Sequence, residues 1–261
     1  MTSGKQVEQT SQQAHVARQF GQRADAYVQS AVHASGPDLD WMEQQIRGRT
    51  PKRLLDIGCG GGHVAYRMAP HAAEVIASDL SSEMIAAVVR EAAQRDIGNI
   101  ATVKAAAESL PFDSGHFDAV VSRFSAHHWG DLTGGLREAA RVLKAGGQAL
   151  FVDGRSPGLP LLDTHLQAIE LLRDPSHVRD YAAAEWLSAL ESAGFVPLSV
   201  STHQLRMDFP SWIGRMRTPA AIADAIHYLQ ERLPEEARRH FAIEADGSFM
   251  LDTIWIEARK R

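Results

Sequence analysis

The stretch Asp56-Ile57-Gly58-Cys59-Gly60-Gly61-Gly62-His63 constrains this chain more than any other. It follows a short apolar run, Leu54-Leu55, and precedes a helical pattern at 63–68. A buried strand that hands over to a helix through glycines turns sharply, and its side-chain-free backbone lets a ligand come close. In a doubly wound sheet, the first strand ends at the crevice where nucleotides bind. The spacing narrows the choice of ligand. A dinucleotide fingerprint needs Gly-x-Gly-x-x-Gly, with the pyrophosphate on the helix N-terminus. Counted from Gly58, its third glycine would fall on His63. The glycines lie instead at 58, 60 and 62, and the strand ends in an acid two residues earlier. Asp56 beside such a turn repels phosphate and attracts a cationic amino group, so the ligand implied has an ammonium end.

The chain around this turn alternates. Residues 74–78, 100–104, 117–122 and 147–152 read as further buried strands. Ser81 or Ser82 caps a helix whose Ile85, Val88, Val89 and Ala92 recur at helical spacing. Leu136, Ala140 and Leu143 mark another, with Gly146 placed as its C-cap. Strands alternating with helices imply right-handed βαβ units and a parallel sheet covered on both faces. After Asp153 the rhythm changes. Helices are expected at 161–172, around Trp186 and Leu190, and after Pro219 and Pro234, with Asp174-Pro175 as a cap and first-turn proline. Residues 195–203 and 249–259 complete the strands. A chain of 28.6 kDa buries about 70% of its open-chain surface, enough for a core without staples. The single cysteine, Cys59, allows no intrachain disulfide, which suits a reducing compartment. A net charge of −5 makes a poor partner for nucleic acid, whose affinity rests on phosphate neutralisation. No apolar run reaches the roughly 18 residues of a membrane span, and the polar start lacks a signal-peptide core. The expectation is a soluble cytoplasmic protein.

Asp79 ends the second strand and repeats the logic of Asp56. An acid there accepts hydrogen bonds from both ribose hydroxyls and excludes a 2′-phosphate; the competing reading is a cap for the helix that follows. LLDIGCGGGH, the Asp79 strand end with SSEM, AESLPFDSGHFDAVVSR and REAARVLKAGG together resemble the class I S-adenosylmethionine-dependent methyltransferases. Within them the likeness is to the type 11 family and its small-molecule branch, which includes ubiquinone/menaquinone methyltransferase-like proteins. It covers residues 54–152. The resemblance implies S-adenosylmethionine as cofactor, with Gly58, Cys59 and Gly60 passing around its methionine part and Asp56 towards its amino group. It implies Asp79 on the ribose, Leu80 and Met84 against the adenine, and Ala107 and Glu108 beside the adenine amino group. Many relatives carry Asp or Ser where this chain has Ala106, so a backbone carbonyl or Glu108 must meet that group here.

The fourth strand runs out at Ser122-Arg123-Phe124, followed by Ser125-Ala126-His127-His128-Trp129. In this sheet order the segment borders both the cofactor's sulfur and the acceptor, and Arg123 joins the expected cofactor site. Methyl transfer is an in-line displacement, so orientation supplies much of the rate. The rings of Tyr27, Phe124 or Trp129 can hold a sulfonium by cation–π contact. A hydroxyl or activated-carbon acceptor needs a base, and His128 or His127 is the nearest candidate; a structural role for both is the alternative. Twelve histidines without a cysteine cluster or His-Glu-x-x-His spacing give no metal site. Cys59 reads as a small backbone-contact residue. Asp174, His177 and Arg179 are candidates for the acceptor pocket, whereas Trp212, Arg215 and Arg217 read as an amphipathic helix with a solvated basic face.

The expected fold is a three-layer α/β/α Rossmann-like sandwich with a seven-stranded, mostly parallel sheet and an antiparallel last strand. Residues 1–50 form a helical cover, 51–207 the cofactor-binding core, 208–248 a helical insertion over the pocket and 249–261 the last strand. Methyl transfer to a small-molecule acceptor follows, from a monomer or homodimer without nucleic-acid or membrane partners. Two rivals stand beside it: a non-enzymatic S-adenosylmethionine binder and a nucleotide-dependent oxidoreductase. The latter lacks the glycine spacing and a Tyr-x-x-x-Lys pair, since Glu185 follows Tyr181 at that distance.

Overall fold

The apolar runs bracketing the glycine turn form the centre of the sheet. In a computed structural model, which describes residues 11–21 and 34–261, β1 (Arg53–Ile57) is buried at four of its five positions. β4 (Phe117–Arg123) flanks it on one side, and β2 (Glu74–Asp79) and then β3 (Ile100–Lys104) on the other. Continuous burial of this kind belongs to parallel strands covered on both faces. β5 (Leu143–Gly154), β6 (Phe195–Met207) and β7 (Phe249–Lys260) complete the order β3-β2-β1-β4-β5-β7-β6. The first five strands pair in parallel, and β7 runs antiparallel to both its neighbours, as the sequence led one to expect. The order reverses at β1, so the crevice opens over the ends of β1 and β4.

Helices cover both faces. α3 (His63–Met68) follows the glycine turn, with Gly62 at its N-cap at φ 82°. α4 (Ser82–Gln94) is capped by Ser81, whose Oγ accepts the Met84 N–H at 3.2 Å. α2 (Pro37–Arg47) lies with these two, burying Leu39, Met42 and Ile46 beside Leu54, Val75 and Leu150. On the other face α5 (Leu132–Val142) and α7 (Ala183–Ser192) enclose Leu136, Trp186 and Leu190 with Leu55, Val120 and Phe151.

A third apolar cluster stands beyond the sheet. The pairing of Gly154 with Thr253 leaves 249–252 of β7, and their partners 204–207 of β6, projecting past the end of β5. There Phe249 and Leu251 pack with α6 (Pro160–Arg173), α8 (Phe209–Met216), α9 (Ala220–Glu231) and α10 (Glu235–His240). This places a helical layer above the strand ends that face the crevice. No helix among the described residues is long and apolar enough to cross a membrane.

Four expectations need correction. Residues 37–47 are core rather than cover: three side chains at 0–1% exposure together contribute on the order of 5 kcal/mol or more. Gly146 does not cap a helix. α5 ends at Val142, and Gly146, at φ 72°, sits where β5 gains extra residues against β4 between the pairs Phe117–Leu143 and Ala119–Gln148. Asp174-Pro175 opens no helix. It ends α6 in a turn in which the Asp174 carboxylate accepts the Ser176 N–H at 2.9 Å. β6 runs four residues beyond the expected end, because β7 supplies partners as far as Met207.

Candidate active site

The glycine turn is fastened from three sides. The Cys59 N–H donates to Ser78 O at 2.9 Å, the Gly62 N–H to Cys59 O at 2.8 Å, and the Gly60 N–H to Asp79 Oδ2 at 2.9 Å. Gly58 and Gly60 hold φ of 68° and 49°, and their reasons for being glycine differ. A Cβ on Gly58 would lie 1.8 Å from Ser125 Oγ, whereas one on Gly60 would meet nothing within 4 Å. Gly58 makes room for the β4 end, and Gly60 leaves open space. Cys59 is no nucleophile. Burial, then the charges of Asp79 and Asp56, push its thiol well above the ordinary range, so it stays protonated.

Asp79 braces both the start of α4 and the glycine turn. Oδ1 accepts the Ser81 N–H at 2.9 Å at the start of α4, and Oδ2 closes the glycine turn. Burial raises its carboxyl above the usual range, opposed by these backbone donors. Asp56 differs. It is 1% exposed, and neither oxygen has a hydrogen-bond partner among the described residues. Burial raises its carboxyl to about 7, against the smaller pull of the Ala65 N–H, which faces it without meeting hydrogen-bond geometry.

A cleft enclosing about 930 Å³ of empty space lies over these strand ends. Gly58, Cys59, Gly60 and Asp79 form its floor. Leu80 and Met84 line one wall, with Ala107 and Glu108; Arg123, Phe124, His128 and Trp129 line another. α1 (Ser11–Gly21) closes it through Gln13, Val16 and Phe20. Nine of the expected cofactor residues thus meet on one cleft. Asp56 stands behind the glycine turn and does not line it. Tyr27 lies outside the described residues. Glu108 is heavily engaged: Oε1 accepts the Gly130 N–H at 2.8 Å, and Oε2 accepts Gln13 Nε2 at 3.2 Å. Arg123 forms a buried ion pair with Asp38 of α2, Nε to Oδ2 at 2.5 Å. Phe124 holds φ 49°, a left-handed conformation that costs a non-glycine residue on the order of 1–3 kcal/mol and marks functional turns.

His127 and His128 part company. His127 Nδ1 donates to Asp153 Oδ1 at 2.5 Å, and the same carboxylate accepts the Ala126 N–H at 2.7 Å and the Gly154 N–H at 2.8 Å. Burial lowers His127, but the Asp153 carboxylate outweighs it and raises the ring to about 9, a cation at neutral pH. Burial, then the neighbouring His127 charge, drives His128 down to about 4. Sequence reasoning missed Asp153, although its position at the end of β5 repeats that of Asp56 and Asp79. His127, Asp153 and Asp180 bring three possible ligand atoms within 4.8 Å of one another. Asp153 already accepts from the Ser125, Ala126 and Gly154 N–H groups and from His127, so this arrangement reads as a braced imidazolium.

A second cleft, about 650 Å³ of empty space, adjoins the first and shares Phe20, Phe124 and His128 with it. Leu205, Met207 and Leu251 form its apolar wall; His127, Glu170, Arg173, Asp174, Asp180 and Arg215 form the other. Of the residues suggested for an acceptor pocket, Asp174 is here, while His177 and Arg179 are not. Arg179 is bound to Asp163 and Glu185 at 3.1 and 3.0 Å. Trp212 is fully buried beneath the Arg173 guanidinium, as an amphipathic helix requires, whereas Arg215 lines the cleft rather than a solvated face. Glu170 and Arg173, a buried pair 3.4 Å apart, had no sequence signal beyond their helical spacing.

Comparison with known proteins gives three results. The profile of a family described as a methyltransferase domain matches residues 55–151. The uncharacterized protein YafE of Escherichia coli K12 is 43% identical over 203 residues, 78% of this chain and 98% of that one. YcgJ, an uncharacterized methyltransferase of Bacillus subtilis, is 35% identical over 247 residues, 93% of this chain and 98% of its own. Its crystal structure superposes with a TM-score of 0.82 at 34% identity, covering 86% of this chain and 98% of that one. The ubiquinone/menaquinone biosynthesis C-methyltransferase UbiE of Rhizobium johnstonii is 29% identical over 61% of this chain and 66% of that protein.

Proposed function

The chain belongs to this methyltransferase family, whose members draw on S-adenosylmethionine, and from that premise we propose that it methylates a small molecule held in the second cleft with cofactor held in the first. The observation that carries this is the meeting of the two clefts at Phe20, Phe124 and His128. A methyl carbon at that junction faces one chamber for its carrier and another for its acceptor.

The residues fit the cofactor. Gly60 offers open space along a backbone in left-handed conformation, and Asp56 holds a buried carboxylate without a partner among the described residues. Asp79 has given one lone pair of each oxygen to the backbone and keeps others for the ribose hydroxyls. Leu80 and Met84 flank the adenine. Glu108 is committed to Gly130 and Gln13, so the backbone beside Ala107 receives the adenine amino group. S-adenosylmethionine supplies a methyl group on a positively charged sulfur. The rings of Phe124 and Trp129 stabilise such a charge by about 0.5–2 kcal/mol each where they face it. Holding acceptor and methyl carbon in line lowers the barrier by orientation. α1 and the helices of 208–248 cover the clefts, 51–207 and 249–261 together with α2 form the core, and the protein acts on small molecules in the cytoplasm without nucleic acid.

Calorimetry tests the assignment. S-adenosylhomocysteine is expected to bind one-to-one and NAD not to bind. NAD binding without S-adenosylhomocysteine binding overturns it in favour of an oxidoreductase. Methylation of any acceptor in a small-molecule panel excludes a purely non-enzymatic binder.

A further inference from the structure

We propose that the acceptor atom is an amine nitrogen, received at the junction of the two clefts by His128 Nε2 and Asp174 Oδ2, which makes the protein an N-methyltransferase. This rests on the methyl-transfer reading above.

Hydrogen-bond roles around His128 are fixed by its neighbours. Nδ1 stands 3.2 Å from Ser176 O, which can only accept, so Nδ1 carries the ring hydrogen and Nε2 keeps its lone pair. The low protonation range of His128 agrees with a neutral ring. Asp174 Oδ1 is taken by the Ser176 N–H and O–H, at 2.9 and 2.6 Å. Asp174 Oδ2 faces Nε2 at 3.8 Å, too far for a hydrogen bond and with no hydrogen to share. Two acceptors therefore converge on one place.

A ligand must bring the hydrogens. A nitrogen about 2.9 Å from each acceptor sees them roughly 80° apart, within the bending tolerance of two N–H bonds. A hydroxyl brings one hydrogen and leaves the second acceptor unmet. A carboxylate or phosphate brings none and sets its charge against Asp174. A neutral primary amine satisfies both acceptors and directs its lone pair away from them, at a junction where His128 borders both clefts.

The rest of the chamber agrees. Asp180, 3% exposed in the same wall, has an Oδ2 without a hydrogen-bond partner among the described residues, and burial raises its carboxyl to about 8, so it becomes a charged acceptor only as pH approaches 9. Of the cations in this wall, His127 is committed to Asp153 and Arg173 to Glu170 and to Trp212 O, and Arg215 lines the cleft beside them. In the reaction the nitrogen lone pair forms the new bond to the methyl carbon, and the C–S electron pair stays with sulfur. The positive charge passes from sulfur to a methylated ammonium that keeps both hydrogens. Asp174 lies beside that developing charge, and no base is required.

The test uses full-length protein saturated with S-adenosylhomocysteine, titrated with benzylamine and with benzyl alcohol in a calorimeter at a pH near 9. Benzylamine is expected to bind at least tenfold more tightly. Asp174→Asn keeps Oδ1 for Ser176 and replaces the Oδ2 acceptor with a donor, and it is expected to bring the preference within threefold while leaving S-adenosylhomocysteine affinity unchanged. Equal binding of the two probes to the unsubstituted protein, tighter binding of the alcohol, or binding of neither overturns the amine assignment. Failure to bind S-adenosylhomocysteine would instead overturn the methyl-transfer reading beneath it.

Discussion

Asp79 Oδ2 accepts the Gly60 N–H at 2.9 Å, so the carboxylate that ends β2 also sets the shape of the turn that ends β1. Two strand ends are joined through one side chain, and the ribose and methionine halves of a bound cofactor would be positioned by the same group. Asp79→Ala removes the proposed ribose acceptors and the clamp on the turn together. Loss of a hydrogen bond to a charged group costs about 1.5–3 kcal/mol, so S-adenosylhomocysteine affinity is expected to fall tenfold to a hundredfold. An unchanged dissociation constant by calorimetry would place the ribose elsewhere.

Gly58 and Gly60 separate fold from binding. Gly58→Ala drives a methyl group to 1.8 Å from Ser125 Oγ and strains φ 68°, so urea unfolding should show a loss above about 2 kcal/mol. Gly60→Ala strains only the backbone, by about 1–2 kcal/mol, and projects into space open to the cleft. It is expected to stay folded and lose cofactor affinity. Equal stability losses in the two variants would contradict the division of roles, as would full affinity in the second.

Asp56 is expected to make cofactor binding depend on pH. Its carboxyl, raised to about 7 by burial, is partly protonated at pH 6.5 in the free protein. An ammonium brought near it favours the charged form, so binding releases a proton and affinity rises as pH climbs from about 5.5 to 7.5. Calorimetry at pH 6.5 in buffers of different ionisation enthalpy measures that release, and Asp56→Asn is expected to abolish it. Proton uptake, or release that persists in the variant, would remove Asp56 from the amino-group site.

α1 is held mainly by amide groups. Val16 is its one buried side chain, Phe20 rests against Met84 and Ala87, and Gln12 and Gln13 bond Ser176 O and Glu108. An element with so little buried apolar surface opens easily. Hydrogen exchange in 11–21 is expected to slow when S-adenosylhomocysteine binds, while α2 stays protected throughout. Exchange in 11–21 that ignores the ligand would make α1 packing alone. A chain cut at Gly48 would not test the cover cleanly, since it also removes Leu39, Met42 and Ile46 from the core.

The centre of the fold was legible because its signals are local. β1, the glycine turn and the Asp79 end lie within 27 residues of sequence, and each carries its own pattern of apolar run, glycine and acid. What stayed hidden depends on distant partners. Nothing near Gly58 announces that Ser125 will occupy its Cβ position. Residues 204–207 alternate polar and apolar over only four positions, and they extend the strand because β7 pairs with them. Residues 37–47 were expected within a helical cover, yet the sheet selects Leu39, Met42 and Ile46 as one buried face. The second cleft was least readable: Glu170, Asp174, Asp180 and Arg215 are polar residues on separate elements, and only the projecting ends of β6 and β7 gather them.

The position of α1 has a kinetic consequence. It contacts Glu108 on one flank of the first cleft and Ser176 and Asp174 on the edge of the second, and Phe20 borders both. Two chambers behind one clasp share an exit. Turnover is then expected to run as a closed cycle, in which both ligands enter before the clasp fastens and neither product escapes until it is undone.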